Sequence, residues 1–252
     1  MGTMDLNADI GEGYGRWRMT DDEGLLGVIT SANVACGFHA GDPSIMRAVC
    51  QRAADNDVVI GAHIGYRDLL GFGRRELPTP PEELHVEALY QIGALDAFAR
   101  RAGSRVKYVK PHGALYHAAA RRQEVAESVV AAVRVFDPEL VLLGASGSHM
   151  ESEATHAGIR FASEGFADRA YDRSGRLVPR SEPGAVHDDV QTMVDQVTDL
   201  VLNRSVTSVT GEQVPVEVDS ICVHGDTPGA VAAAEAARAS LLQAGVNLRA
   251  FA

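Results

Sequence analysis

The sequence has few cysteines, and it has no long apolar run. Its three cysteines, Cys36, Cys50 and Cys222, form no C-x-x-C pair, so we expect a reducing cytoplasm rather than a disulfide framework. No segment approaches the ~18 consecutive apolar residues of a membrane-spanning helix. The amino terminus also lacks the basic and apolar regions of a signal peptide. These absences predict a cytoplasmic protein with no membrane partner.

Several motifs of common enzyme classes are also absent. There is no G-x-S-x-G elbow, which argues against an α/β-hydrolase. There is no Walker A sequence and no Gly-Lys dipeptide, so a P-loop is excluded. The glycines at 11, 13 and 15 lack the spacing of the Rossmann fingerprint, which argues against NAD binding. Because no H-x-x-x-H or H-E-x-x-H pair occurs, any metal site must combine residues from different strands.

Positive charge is scarce, with 23 basic against 34 acidic residues and a net charge of −11. This balance argues against nucleic acid or an anionic membrane as the main partner. The content of apolar residues (46%) and charged residues (23%) is that of an ordinary globular protein. A length of 252 residues suits a single (β/α) barrel.

Short apolar runs alternate with amphipathic stretches along the whole chain. The predicted strands are residues 4–9, 28–35, 58–64, 106–111, 140–144, 159–164 and 221–224. Stripes with a 3.6-residue period predict helices over 43–55, 84–99, 125–136, 186–201 and 227–244. The repeated strand–helix unit predicts an α/β fold, a single-domain distorted seven-stranded (β/α) barrel over residues 1–252. An open doubly wound sheet is the alternative.

The region of about 165–219 is longer than one crossover helix requires. Within it, residues 206–209 and 214–218 flank a turn at 210–213, and this pattern predicts a β-hairpin. We expect this segment to be an excursion of the barrel rather than a second domain.

Polar residues cluster at the carboxyl ends of the predicted strands, where (β/α) barrels carry their active sites. The candidates are Asn7, Asp9, Glu12, Asn33, His39, His63, Lys110, His112, Glu164, Arg169, His224 and Asp226. Several have structural alternatives. His39 could simply lie near a helix start that Asp42 caps, and a salt bridge to Asp9 or Glu164 would explain Lys110. The other histidines, including His117, are expected at the surface.

Two chemistries suit this set of residues. Carboxylates and histidines perform general acid–base catalysis without a metal. Alternatively, Asp9, His63 and His112 could hold a divalent metal that activates water. The residue types alone leave both open.

The sequence blocks around these candidates resemble those of the LamB/YcsF lactam-utilisation family, whose members are also known as the A subunit of 5-oxoprolinase. They include DLNADIGEGYG at 5–15, ANVACGFHAGDP at 32–43, GAHIGYRD at 61–68 and VKPHGALY at 109–116. Further blocks lie at 71–75, 166–171, 177–181 and 219–226, so the resemblance covers nearly the whole chain.

The resemblance implies a barrel similar to the polysaccharide-deacetylase class and ATP-dependent opening of the lactam 5-oxo-L-proline to L-glutamate, with partner subunits B and C. Within that reaction, we expect catalytic roles for Asp9, Glu12, His63, Lys110 and His112. Substrate-binding roles are expected for Asn7, Asn33, His39, Glu164, Arg169, His224 and Asp226. The alternatives are a metal-dependent deacetylase or amidohydrolase that needs no ATP, and a non-catalytic subunit that channels substrate.

Overall fold

Strand–helix units follow one another along the chain in a computed structural model that describes residues 2–225 and 229–252. The strands are β1 (Thr3–Ile10), β2 (Ser31–Ala35), β3 (Val59–Ile64), β4 (Val106–Pro111), β5 (Val141–Gly144), β6 (Arg160–Phe166), β7 (Ser205–Thr207), β8 (Gln213–Pro215), β9 (Ser220–Val223) and β10 (Asn247–Leu248). The helices are α1 (Asp22–Leu26), α2 (Pro43–Asp55), α3 (Pro81–Arg101), α4 (Gly113–Arg121), α5 (Gln123–Phe136), α6 (His149–Ala157), α7 (Val190–Thr198) and α8 (Ala230–Gln243). A π-helical turn (Asp199–Asn203) continues α7.

Seven parallel strands close into a barrel in the order β1, β2, β3, β4, β5, β6, β9, and pairing of β9 with β1 completes the ring. Strand β10 extends the sheet beside the start of β1, where Thr3 lies opposite Asn247. The prediction of a seven-stranded (β/α) barrel is therefore confirmed, and the open-sheet alternative is wrong.

Capping explains why two of the predicted elements begin later than expected. The strand predicted from residue 28 begins at Ser31, because the amides of Val28 and Ile29 donate to the Leu25 carbonyl and end helix α1. The helix predicted from residue 186 begins at Val190, where the Asp189 side chain accepts a hydrogen bond from the Thr192 amide. Capping decides both boundaries.

Local sequence explains how the helices start and stop. Asp42 caps α2 by accepting from the amides of Ser44 and Ile45 at 2.8 and 3.0 Å, and Pro43 occupies the first turn. Helix α3 starts at Pro81 and is followed by Gly103, whose φ of +77° suits a residue without a side chain. Helices α2 and α3 thus each begin after the loop that follows a strand.

Strands β7 and β8 pair antiparallel, with Val206 opposite Val214. They lie between β6 and β9 in the chain, and the amide of Val209 donates to the carbonyl of Tyr171. A hairpin therefore occupies the place where the turn at 210–213 predicted one.

Strand β1 has two different faces. Leu6, Ala8 and Ile10 join the main apolar core between the barrel and its helices, and the alternate residues Asp5, Asn7 and Asp9 are buried inside the barrel. On β4 to β6, Tyr108, Val141, Leu143 and Ala162 form a separate apolar cluster. Two residues further along β4 and β6, on the same face, Lys110 and Glu164 are buried. The polar part of the barrel interior therefore reaches the carboxyl ends of the strands. Among the described residues, none of the helices is both long enough and apolar enough to cross a bilayer.

Candidate active site

The predicted residues converge on one cavity at the carboxyl ends of the barrel strands. The cavity has a volume of about 380 Å³, and its walls include Asp9, Glu12, His63, Lys110, His112, Arg169 and His224. Asn7, Asn33, His39 and Glu164 do not line it, but each contacts a side chain that does. Asp226 lies outside the described residues.

Lys110 is the centre of a buried ion-pair network. Its Nζ lies 2.7 Å from Glu164 Oε1 and 3.2 Å from Asp9 Oδ1, and it donates to Cys222 Sγ at 3.2 Å. Burial by itself lowers the pKa of Lys110, but Asp9, Cys222 and Glu164 outweigh it and raise that pKa well above its ordinary value. The salt bridge considered for Lys110 is therefore present, and it lies at the cavity.

Asp9 is held as a carboxylate by its neighbours. Its Oδ1 accepts from Asn33 Nδ2 at 2.8 Å and lies 3.4 Å from His63 Nε2. Burial raises the pKa of Asp9, but His63 and Lys110 oppose this and bring it well below its usual range. Tyr108 donates to Asn33 at 2.7 Å and so orients the amide that binds Asp9. The result is a rigid, ionised carboxylate at the cavity floor.

A second cluster gathers three histidines around Glu12. Glu12 Oε1 lies 3.3 Å from His39 Nε2, 3.3 Å from His112 Nδ1 and 3.8 Å from His63 Nε2. All four side chains are buried. Burial, with His63 nearby, lowers the pKa of His39 well below its ordinary value. Burial also lowers the pKa of His112 well below its ordinary value, and His39 and His63 add to this effect. These two rings are therefore neutral at pH 7.

Backbone carbonyls fix the orientation of two of these rings. His63 Nδ1 donates to the Lys110 carbonyl at 3.2 Å, and His112 Nε2 donates to the Phe72 carbonyl at 2.9 Å. The loop that carries Phe72 packs directly on the rings, because a Cβ at Gly73 would lie 2.7 Å from His39 Cβ and 2.8 Å from His112 Cδ2. Glycine is therefore required where this loop covers the cluster.

Two further predicted residues have partners outside these clusters. His224 Nδ1 lies 2.8 Å from Asp168 Oδ1, and Asp168 was not among the sequence candidates. Arg169 is buried, and its guanidinium donates to the carbonyls of Ala185 and Val178. Burial lowers the pKa of Arg169 to about 10, and Arg180 adds to this effect.

The cavity rim is cationic, and its arginines were not among the candidate site residues. Arg74, Arg121 and Arg180 line it together with His117. His117, expected at the surface, is half-buried on the cavity wall, where burial and the nearby arginines lower its pKa to about 4. One signal was available, since His117 and Arg121 are four residues apart on the helix that follows the candidates Lys110 and His112.

Comparison with known proteins agrees with this architecture. The model of the LamB/YcsF family matches residues 4–252. A Nocardia farcinica protein, named as the A subunit of 5-oxoprolinase, is 56% identical over 98% of this chain and 99% of its own length. A Streptomyces griseus protein of the same name is 54% identical over 99% of this chain and all of its own.

Solved structures give the same result. A lactam utilization protein from Thermus thermophilus has a TM-score of 0.94 and 44% identity, with coverage of 99% of this chain and 100% of that one. A putative cellobiose-phosphate cleavage protein from Enterococcus faecalis V583 shares only the fold, at a TM-score of 0.54 and 15% identity over 98% of this chain and 96% of that one. From the family match and these full-length relatives, we conclude that the chain belongs to the LamB/YcsF family.

Proposed function

We propose that this chain is a subunit of an ATP-dependent 5-oxoprolinase, which opens 5-oxo-L-proline to L-glutamate and requires partner subunits B and C. The observation that carries the proposal is the cavity, which combines buried carboxylates, an apolar wall and a cationic rim. The names of the full-length relatives support the same reaction.

The chemistry of the cavity suits the proposed substrate. A lactam acid has ring methylenes, an amide and a carboxylate. Phe166, Leu177 and Pro179 provide apolar contact for the ring. Arg121 and Arg180 at the rim suit a carboxylate or a phosphate, because guanidinium groups bind both through paired hydrogen bonds.

The proposed mechanism begins with activation of the amide. Transfer of the ATP γ-phosphoryl group to the amide oxygen makes the ring carbon electrophilic. Water then adds to that carbon, the C–N bond breaks, and the nitrogen takes up a proton as the free amine. The acyl phosphate that remains is hydrolysed by a second water to glutamate and phosphate.

Asp9 and Glu12 are the bases available to these water molecules. Asp9 lies at the cavity and is oriented by Asn33, so its position suits a proton acceptor. Its lowered pKa makes it a weak base, so position rather than basicity supports this role. Lys110 keeps Asp9 charged and stays bound to Glu164. Its proposed role is therefore to hold the carboxylate rather than to bind a substrate anion.

The test is an assay of glutamate release from 5-oxoproline, run with this chain alone and with its two companions, each with and without ATP. The proposal expects release only from the full set with ATP. Failure of the complete, correctly assembled set to release glutamate would contradict it. The chain has no Walker A motif, so binding of labelled ATP to each separate subunit determines which of them holds the nucleotide.

The histidine cluster favours one alternative, an amidohydrolase that acts without ATP. In the same assay, hydrolysis of amides by this chain alone, without nucleotide, would identify that alternative. A substrate-channelling role without catalysis predicts that cavity variants keep full activity in the complex.

A further inference from the structure

The four side chains around Glu12 have the spacing of a metal site. A tetrahedral ion with bonds of about 2.0–2.1 Å places its ligand atoms about 3.3–3.4 Å apart. The distances from Glu12 Oε1 to the three imidazole nitrogens are 3.3, 3.3 and 3.8 Å. His63 Nε2 and His112 Nδ1 are 3.0 Å apart. All four donor atoms lie within 4.8 Å of one another.

Backbone carbonyls occupy the outer nitrogens of two of these rings. The Lys110 and Phe72 carbonyls accept from the outer nitrogens of His63 and His112. The inner nitrogens of the two rings therefore face each other, 3.0 Å apart, at the centre of the cluster. Carbonyl partners of this kind are the usual outer contacts of metal-bound histidine.

His39 supplies an independent observation. Its side chain is fully buried, and among the described residues neither of its ring nitrogens has a hydrogen-bond partner. A buried imidazole nitrogen without a hydrogen-bond partner costs free energy, and coordination through Nε2 would satisfy one of the two. Its Nε2 faces Glu12 at the centre of the cluster.

We infer that Glu12, His39, His63 and His112 form a binding site for one divalent transition-metal ion, with zinc as the best match to three imidazoles and one carboxylate. Four protein ligands fill a tetrahedral site, as in structural zinc sites, so the bound ion would fix the three rings in place, with His63 next to Asp9. This set differs from Asp9, His63 and His112, because Glu12 and His39 join the two histidines and Asp9 pairs with Lys110 instead.

A second group of potential ligands, Asp9, Cys222 and His224, also lies within the same distance limit. It is a poor cation site, because the Lys110 ammonium already lies 3.2 Å from both Asp9 Oδ1 and Cys222 Sγ. A second positive charge at that position would be repelled. Substitutions of His63 or Glu12 should therefore weaken metal binding, whereas a substitution of Cys222 should not.

The test is calorimetric titration of zinc into the chelator-treated full-length chain, without substrate. We expect one ion per chain. His63→Ala should weaken binding at least about 100-fold, since loss of an outer partner alone costs about 10–100-fold. Glu12→Gln, which keeps the side-chain size, should also weaken it. Cobalt in place of zinc should give the visible absorption of a four-coordinate ion.

The controls are His156→Ala, an exposed histidine on α6, and Cys222→Ser in the second group; both should bind zinc like the wild type. Circular dichroism checks that each variant is folded. Absence of stoichiometric binding, or binding that depends on Cys222 rather than on His63 and Glu12, would overturn the inference. Because no lactam or ATP is used, this result is separate from that of the glutamate-release assay.

Discussion

Two aspartates on the same face of strand β1 have opposite pKa shifts. Asp5 and Asp9 are both buried inside the barrel. Burial raises the pKa of Asp5 to about 6, although it accepts hydrogen bonds from Ser220, Thr30 and Ser31. At the other end of the strand, His63 and Lys110 outweigh burial and lower the pKa of Asp9.

The comparison shows what keeps a buried carboxylate charged. Neutral hydroxyl donors around Asp5 compensate only part of the loss of solvation, whereas a cation in contact with Asp9 more than compensates it. Asp5, at the amino end of the strand, therefore takes up a proton near pH 6, whereas Asp9, at the carboxyl end where the cavity lies, stays charged. Four variants separate the two ends.

The largest expected effect is that of Asp9→Asn on catalysis. Removing the base should slow the reconstituted 5-oxoprolinase by about 10²–10⁴-fold, measured as glutamate release. The matched control is Asp5→Asn, which makes the same change on the same strand face and should leave the rate close to that of the wild type. Equal losses in both variants would mean that the ends do not differ in function.

The next effect is on stability. Lys110→Met leaves Asp9 and Glu164 buried without their cation, which typically costs about 3–5 kcal/mol of unfolding free energy. Urea denaturation at pH 7 measures this. Lys107, the other lysine of the chain, is half-exposed on the same strand, and Lys107→Met should change stability little. A mild effect of Lys110→Met would contradict the assigned ion pairs.

Asp5 should give the protein a pH dependence that Asp5→Asn removes. Since its pKa in the folded state is about 6 against an ordinary 3.8, the folded protein retains a proton between these values that the unfolded chain has released. The free energy of unfolding therefore falls as the pH rises, by about 3 kcal/mol in total between values well below 3.8 and well above 6. Because the wild type loses stability over this range and the variant does not, the stability of Asp5→Asn relative to the wild type should increase from pH 4 to pH 7. Denaturation of both proteins at the two pH values measures this difference. An unchanged difference would mean that the pKa of Asp5 is not raised.

The smallest effect is expected at the rim. Arg180→Ala should raise the KM for 5-oxoproline about tenfold with little change in kcat, because a half-exposed charged hydrogen bond contributes about 1.4 kcal/mol. Arg134 on α5 is exposed and away from the cavity, so Arg134→Ala is the control. A loss confined to kcat would instead place Arg180 in the chemical step.

The periodicity of the sequence was enough to predict the barrel strands within a few residues. Strands β3 and β4 were predicted almost at their observed bounds, because buried parallel strands are short, continuous apolar runs. Predictions were poorer where capping sets the boundary, as at Ser31 and Val190. Helices α4 and α6 were not delimited, since their short apolar stripes are weak signals.

The sequence by itself determined that polar residues end many strands, and parallel strands carry those ends to one side of a barrel. Only the tertiary structure decided which of them touch. Glu12 lies with His39, His63 and His112, whereas Asp9 lies with Lys110 and Glu164. The reason is that contacts inside a closed barrel depend on the register between strands and on loop positions, and neither is encoded in the local pattern of one strand.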